Sequence, residues 1–184
     1  MITNNIFLFL ATGVEETEAI ATTDVLRRAN LPVTTVSITG KTEVTGAHGI
    51  TMIADALFEA VDFSHGNMLV LPGGMPGATN LGLHKGLSEL LKQYLENDKF
   101  LAAICAAPKV LGKLNLLQGK VATCYPGFEE ELLGAVLSDK PVVQDGNLIT
   151  AKGPAFAIDF GLKIVEVLQG RGAAAKIASG MLVK

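Results

Sequence analysis

Phe100-Leu101-Ala102-Ala103-Ile104-Cys105-Ala106-Ala107-Pro108 passes from an unbroken apolar run into the start of a helical pattern, which sets Cys105 at a sharp strand-to-helix turn. The apolar part offers nothing to water on either side, so it reads as a strand buried on both faces of a sheet. A cysteine at such a turn has two readings. Packed at the strand's end it is an inert small hydrophobe. Facing unpaired N–H groups and the positive end of a helix, it is a thiol whose thiolate is favoured.

The same pattern repeats outward from that turn. Residues 5–11, 33–38 and 68–71 are further apolar runs, and helix-period segments alternate with them. One helix begins near Glu15 and ends at Asn30-Leu31-Pro32. Leu87, Leu90, Leu91, Tyr94 and Leu95 mark a second at i, i+3, i+4, i+7 and i+8. Residues 157–168 form a third, entered through Gly153-Pro154 and closed by Gly170. Asp145-Gly146-Asn147 between two short apolar runs predicts a hairpin, a small antiparallel addition. The class is α/β, a mostly parallel sheet covered by helices on both faces. Residues 1–184 read as a single domain.

Composition removes several function classes. The formal charge of −3, with no basic cluster, argues against nucleic acid as a partner. The apolar run near the N-terminus is too short to span a membrane and lacks a basic leader, so it reads as a first core strand. Cys105 and Cys124 have no CxxC or zinc-type spacing, and His48, His65 and His84 show no HExxH-like spacing. No metal and no cofactor is expected, and a cytoplasmic location suits two unpaired thiols. Cys124 reads as a packed strand residue rather than a resolving thiol.

Open α/β sheets bind ligands beyond the carboxyl ends of their strands. Three informative segments fall there: Thr12-Gly13-Val14-Glu15-Glu16-Thr17-Glu18, Pro72-Gly73-Gly74-Met75-Pro76-Gly77 and Cys105-Ala106-Ala107. Glycines let backbone N–H groups approach a ligand closely, which suits an oxyanion pocket as well as an ordinary tight turn. The spacing matches neither a dinucleotide fingerprint nor a phosphate loop. Acidic residues in a first helical turn suit the macrodipole whatever else they do. Lowering a thiol from about 8.5 to about 5.5 takes ~4 kcal/mol, whereas a helix terminus supplies ~2 kcal/mol at most. A protonated glutamate donating to the sulfur is the more pointed means.

Five ordered stretches together resemble the ThiJ/PfpI superfamily, in the branch of the Parkinsonism-associated protein DJ-one and its bacterial relatives. They are Gly13-Val14-Glu15-Glu16-Thr17-Glu18, Asp24-Val25-Leu26-Arg27-Arg28-Ala29, Val70-Leu71-Pro72-Gly73-Gly74, Ala102-Ala103-Ile104-Cys105-Ala106-Ala107-Pro108 and Lys152-Gly153-Pro154. The resemblance implies a flavodoxin-like three-layer α/β/α sandwich, commonly a homodimer. It assigns Cys105 as the nucleophilic, oxidisable cysteine, Glu18 as the carboxyl bonded to its sulfur, and the amides of Gly74 and Ala106 as oxyanion donors. Glu15, Pro126, Gly153 and Pro154 match pocket-wall positions, with Gly73, Met75 and Tyr125 completing the pocket. Arg28 and His48 fall where relatives place residues near the site and the dimer interface. Ala106 stands where the peptidase-like branch has a histidine, which disfavours a Cys-His peptidase, and Tyr125 stands where some relatives have one. Two activities follow from the resemblance. One is a cofactor-free glyoxalase or deglycase acting on 2-oxoaldehydes or their adducts. The other is a redox-responsive protective or chaperone-like role through oxidation of Cys105. A thiazole-biosynthesis role, suggested by the ThiJ label, finds no phosphate or nucleotide site in the chain.

Overall fold

The computed structural model describes residues 5–183. Its strands are β1 (Asn5–Leu10), β2 (Val33–Ser37), β3 (Glu43–Thr45), β4 (Thr51–Ile53), β5 (Ala56–Leu57), β6 (Gly66–Leu71), β7 (Phe100–Ile104), β8 (Val121–Ala122), β9 (Val136–Leu137), β10 (Val142–Asp145) and β11 (Leu148–Ala151). Its helices are α1 (Glu16–Arg28), α2 (Gly77–Leu83), α3 (Lys85–Glu96), α4 (Pro108–Lys113), α5 (Ala157–Gln169) and α6 (Arg171–Gly180).

Seven strands form the main sheet in the order β10-β11-β7-β6-β1-β2-β5. Every neighbouring pair is parallel except β10 with β11. Alternation along each strand divides the core in two. Ile6, Leu8 and Leu10 of β1 join Met68, Val70, Ala102 and Ile104 beneath Val25 and Leu26 of α1 and Phe160 and Ile164 of α5. Phe7 and Phe9 turn the other way with Leu69, Leu71 and Leu101, covered by Leu87, Leu91 and Tyr94 of α3 and by Val110 and Leu111 of α4. The result is the expected three-layer sandwich.

The helix boundaries follow from local chemistry. Asn30, in a left-handed conformation at φ 56°, turns the chain out of α1 ahead of Pro32. His84 caps α3 by accepting a hydrogen bond from Leu87 N at 3.0 Å. One expectation needs correction. The hairpin over residues 142–150 is no small appendage, because β11 pairs in parallel with β7 and only β10 runs antiparallel, at the sheet edge. The strand is short, but four consecutive buried residues fit it beside β7. That position matters for the site, since Ala151 O accepts the Cys105 N–H at 2.8 Å.

Candidate functional site

Cys105 lies one residue past β7 with φ at 64°. For a residue with a Cβ this conformation costs about 1–2 kcal/mol and persists because neighbours over-determine it. Its N–H is held by Ala151, and its carbonyl accepts from Tyr125 N at 2.9 Å. The turn aims the side chain at the amides of Gly74 and Ala106, which donate toward the sulfur. Those two donors replace the helix terminus expected from the sequence. α4 starts only at Pro108, which has no N–H, spans six residues, and has the Ala107 N–H engaged by Ile104 O. Its dipole is a minor influence on the sulfur.

Opposite the sulfur stands Glu18, in the first turn of α1 and fully buried. Its Oε2 accepts from Gly73 N at 2.7 Å, while Oε1 is buried without a hydrogen-bond partner of good geometry among the described residues. Cys105 is the group that interacts with this carboxyl. Burial pushes Glu18 up to about 7, against the opposing pull of the Gly73 N–H. Burial likewise pushes the Cys105 thiol up to about 12, with the charge of Glu18 adding to it and the two amides opposing. The sequence-based expectation of a lowered thiol therefore does not hold while Glu18 is ionised. The two groups titrate as a unit, holding two protons below about pH 7 and one proton above it.

Glycine is required at two adjacent positions here. A Cβ on Gly73 would come within 2.7 Å of Cys105 Cβ and 2.9 Å of Glu18 Oε2. Gly74 has φ at 85°, and a Cβ there would collide with the backbone of Gly13, Val14 and Glu15. Glu15 lies against this turn, its N–H donating to Gly73 O at 3.0 Å.

The remaining expected residues divide into two groups. Tyr125 is bonded to the Cys105 carbonyl, and a Cβ on buried Gly153 would stand 3.0 Å from its ring, so both flank the cysteine. Pro154 follows Gly153 at the entry to α5, Met75 follows Gly74 and is about half exposed, and Pro126 is exposed next to Tyr125. His48 reaches the site's edge, with Nδ1 at 2.9 Å from Glu16 Oε2 and 3.5 Å from Glu15 Oε2. Arg28 is not brought to Cys105 in its own chain. It lies ten residues beyond Glu18, about 15 Å along the helix, where it is half exposed and bonds Asp24 at 2.7 Å.

Glu16 is a second buried carboxyl in the same turn, to which sequence reasoning assigned no role of its own. It accepts from His48 N at 2.8 Å, His48 Nδ1 at 2.9 Å and Ile50 N at 3.3 Å. Burial opposes its charge, but those bonds win and hold it at about 2. In return His48 is raised, chiefly by the bond to Glu16 and then by the charges of Glu15 and Glu16. Ligand atoms of Glu15, Glu16 and His48 lie within 4.8 Å of one another. Glu16 and His48 are already joined by hydrogen bonds, with Glu15 beside them, at a helix N-terminus whose polarity disfavours a cation. Lys109, buried on α4, was not singled out by the sequence at all.

Comparison with known proteins places the chain by sequence and by fold. Residues 4–167 match the model of the DJ-1/PfpI family. The chain is 38% identical over 178 residues to Protein dj-1beta of Drosophila melanogaster, covering 96% of this chain and 95% of the relative. It is 35% identical to Protein DJ-1 homolog B of Arabidopsis thaliana across 99% of its own length, but spans only 42% of that longer protein. Among solved structures, oxidized Toxoplasma gondii DJ-1 superposes with a TM-score of 0.93 at 35% identity, with 97% of each chain covered. The chain belongs to the DJ-1/PfpI family.

Proposed function

We propose that the protein is a cofactor-free glyoxalase or deglycase-type enzyme that converts 2-oxoaldehydes such as methylglyoxal to 2-hydroxy acids. The observation that carries this reading is the buried Glu18–Cys105 pair, which has one proton to move and two amides aimed at the sulfur. The reactive tautomer holds the proton on Glu18 and the charge on sulfur. The thiolate adds to the aldehyde carbon, forming a C–S bond, and the new alkoxide takes a proton to become a hemithioacetal. Glu18, now a carboxylate, removes the hydrogen of that carbon and returns it to the neighbouring carbonyl carbon through an enediol. The product is a 2-hydroxy thioester, and water cleaves it to the hydroxy acid and regenerates the thiol. The amides of Gly74 and Ala106 lie where they can stabilise developing oxygen charge. Glu15, Gly73, Met75, Tyr125, Pro126, Gly153 and Pro154 supply the pocket wall in this reading.

Incubation with methylglyoxal without glutathione tests it. Wild type should release lactate, faster as pH rises through about 7 while the pair loses its first proton, and Cys105→Ala should release none. The redox-responsive reading has one observation in its favour, a relative of 0.93 TM-score described as oxidized. Here peroxide takes Cys105 to the sulfinate, with Glu18 donating to it. Wild type with no turnover above buffer, but ready sulfinate formation, would decide for that role.

A homodimer belongs to the same proposal. Ile20, Ile50 and Ile53 are exposed, and a groove of about 300 Å³ beside them is lined by Ile20, Thr23, Asp24, Arg27, Met52 and Ile53. An apolar patch of this kind suits a self-complementary contact, next to His48 at the site's edge. Ile53→Glu should shift the sedimentation mass from dimer to monomer. No helix among the described residues is long and apolar enough to cross a membrane, and two free thiols suit the cytoplasm.

A further inference from the structure

Lys109 is only 5% exposed, yet among the described residues no carboxylate lies within ion-pair distance of its ammonium. A lysine buried this far without a counter-charge is costly. Its partners are neutral: Nζ lies 3.1 Å from Thr79 Oγ1, 3.4 Å from Met75 Sδ and 5.0 Å from the centre of the Phe128 ring. Thr79 Oγ1 also approaches Met75 Sδ at 3.8 Å, closing a small polar knot. The charges that act on it are those of Glu131 and Lys113, and these are paired with each other at 2.6 Å. Burial lowers the lysine's pKa.

The location gives the knot a consequence. Sulfur and donor sit on different parts of the fold. Cys105 travels with β7 and α4, whereas the Gly74 turn is tied to the loop after β1. Glu15 N bonds Gly73 O at 3.0 Å, Gly77 N bonds Gly13 O at 3.1 Å, and Asn80 Nδ2 bonds Thr12 O at 2.9 Å. The sheet joins the two parts only as far as the register pair Leu71↔Ala103. Beyond it, Lys109 reaches from the first turn of α4 to Met75, next to Gly74, and to Thr79 of α2. Its Phe128 contact extends the link to the segment carrying Tyr125 and Pro126.

We propose that Lys109 is a positioning residue that sets the Gly74 N–H against the Cys105 sulfur by fastening the donor's turn to the cysteine's own helix. The inference rests on Cys105 being the reacting group; it does not need the glyoxalase chemistry. Three variants and two readouts test it. Lys109→Met fills similar volume and removes a buried charge, a change that folded proteins commonly tolerate. The rate of iodoacetamide alkylation of Cys105 against pH should shift upward by about half a unit as the sulfur loses a well-placed donor. Lactate formation should fall about tenfold in kcat with KM nearly unchanged, the signature of misplacement rather than lost binding. Lys109→Arg, which can still donate to Thr79, should recover part of both. A folded Lys109→Met protein with the wild-type alkylation profile would overturn the proposal. Should that variant fail to fold, Thr79→Val removes the hydroxyl anchor and leaves the lysine, and an unchanged profile there would overturn it equally. If wild type turns over no 2-oxoaldehyde while the alkylation profile still shifts in Lys109→Met, the glyoxalase reading falls and the role of Lys109 stands.

Discussion

Glu16 and Glu18 lie two residues apart in the first turn of one helix, both nearly inaccessible to water, and they end in opposite states. Glu16 collects three donors from the loop between β3 and β4 and stays charged, held at about 2. Glu18 collects one N–H from Gly73, faces a thiol with its other oxygen, and is pushed up to about 7. Both are closed off from water, but Glu18 lies deeper in the protein and has fewer donors, so the penalty on its charge is larger and the compensation smaller. The α1 N-terminus favours anions at both positions and cannot separate them. A saturated carboxylate is a structural clamp, whereas an undersaturated one has a proton to exchange near neutral pH.

The difference is broken most severely by Glu18→Gln. The amide can still accept from Gly73 but cannot carry the proton, and lactate formation from methylglyoxal should drop by about 10²–10⁴-fold without loss of fold. The same substitution has a thermodynamic signature. Glu18 is a carboxyl whose folded pKa lies above its unfolded value of 4.5, so folding favours its protonated form. Its contribution is fully present below about pH 4.5 and is lost as pH rises through about 7, a change of about 3 kcal/mol. Urea unfolding across that window should show wild type losing stability with rising pH and Glu18→Gln showing a flatter profile. Glu16 slopes the other way: its folded pKa is depressed, so its contribution is present above about 4.5 and lost as pH falls toward about 2. Glu16→Gln, measured at pH 7, should lower stability by about 2 kcal/mol, because the donors of the loop lose a charged acceptor, while turnover per folded molecule is retained.

That contrast also marks where reading the sequence succeeds. Continuous apolar runs at 5–11, 68–71 and 100–104 can only be strands covered on both faces, and the helix periods between them dictate the layers. Cys105, the paired glycines at 73 and 74 and the glutamates of the first turn all follow strand ends, so their convergence is implied by the topology itself. What separates Glu16 from Glu18 is not local. The donors on Glu16 come from His48 and Ile50, thirty-two and thirty-four residues away, through a turn whose course no periodicity reveals. Lys109 escaped for a similar reason: in Pro108-Lys109-Val110-Leu111 a single lysine reads as the solvent side of an amphipathic helix, and only the packing of α2 and the Phe128 segment over it makes it interior. Arg28 could not be placed by a matching stretch alone, because within its own chain it sits at the far end of α1 from Glu18 and bonds Asp24.

His48→Ala sharpens the comparison with the smallest expected effect. The imidazole provides one of the three bonds to Glu16, but the backbone N–H groups of His48 and Ile50 stay whatever side chain stands at 48. If donor number sets the state of a buried carboxyl, Glu16 should remain ionised with two donors. Its titration, followed by NMR of the side-chain carboxyl carbon, should move upward from about 2 yet stay below the ordinary value of 4.5. The thermal midpoint at pH 7 should fall by less than it does in Glu16→Gln, because the ring is mostly exposed and water replaces it. A carboxyl that instead rose toward the value of Glu18 would show that the imidazole, and not the loop backbone, keeps the two glutamates apart.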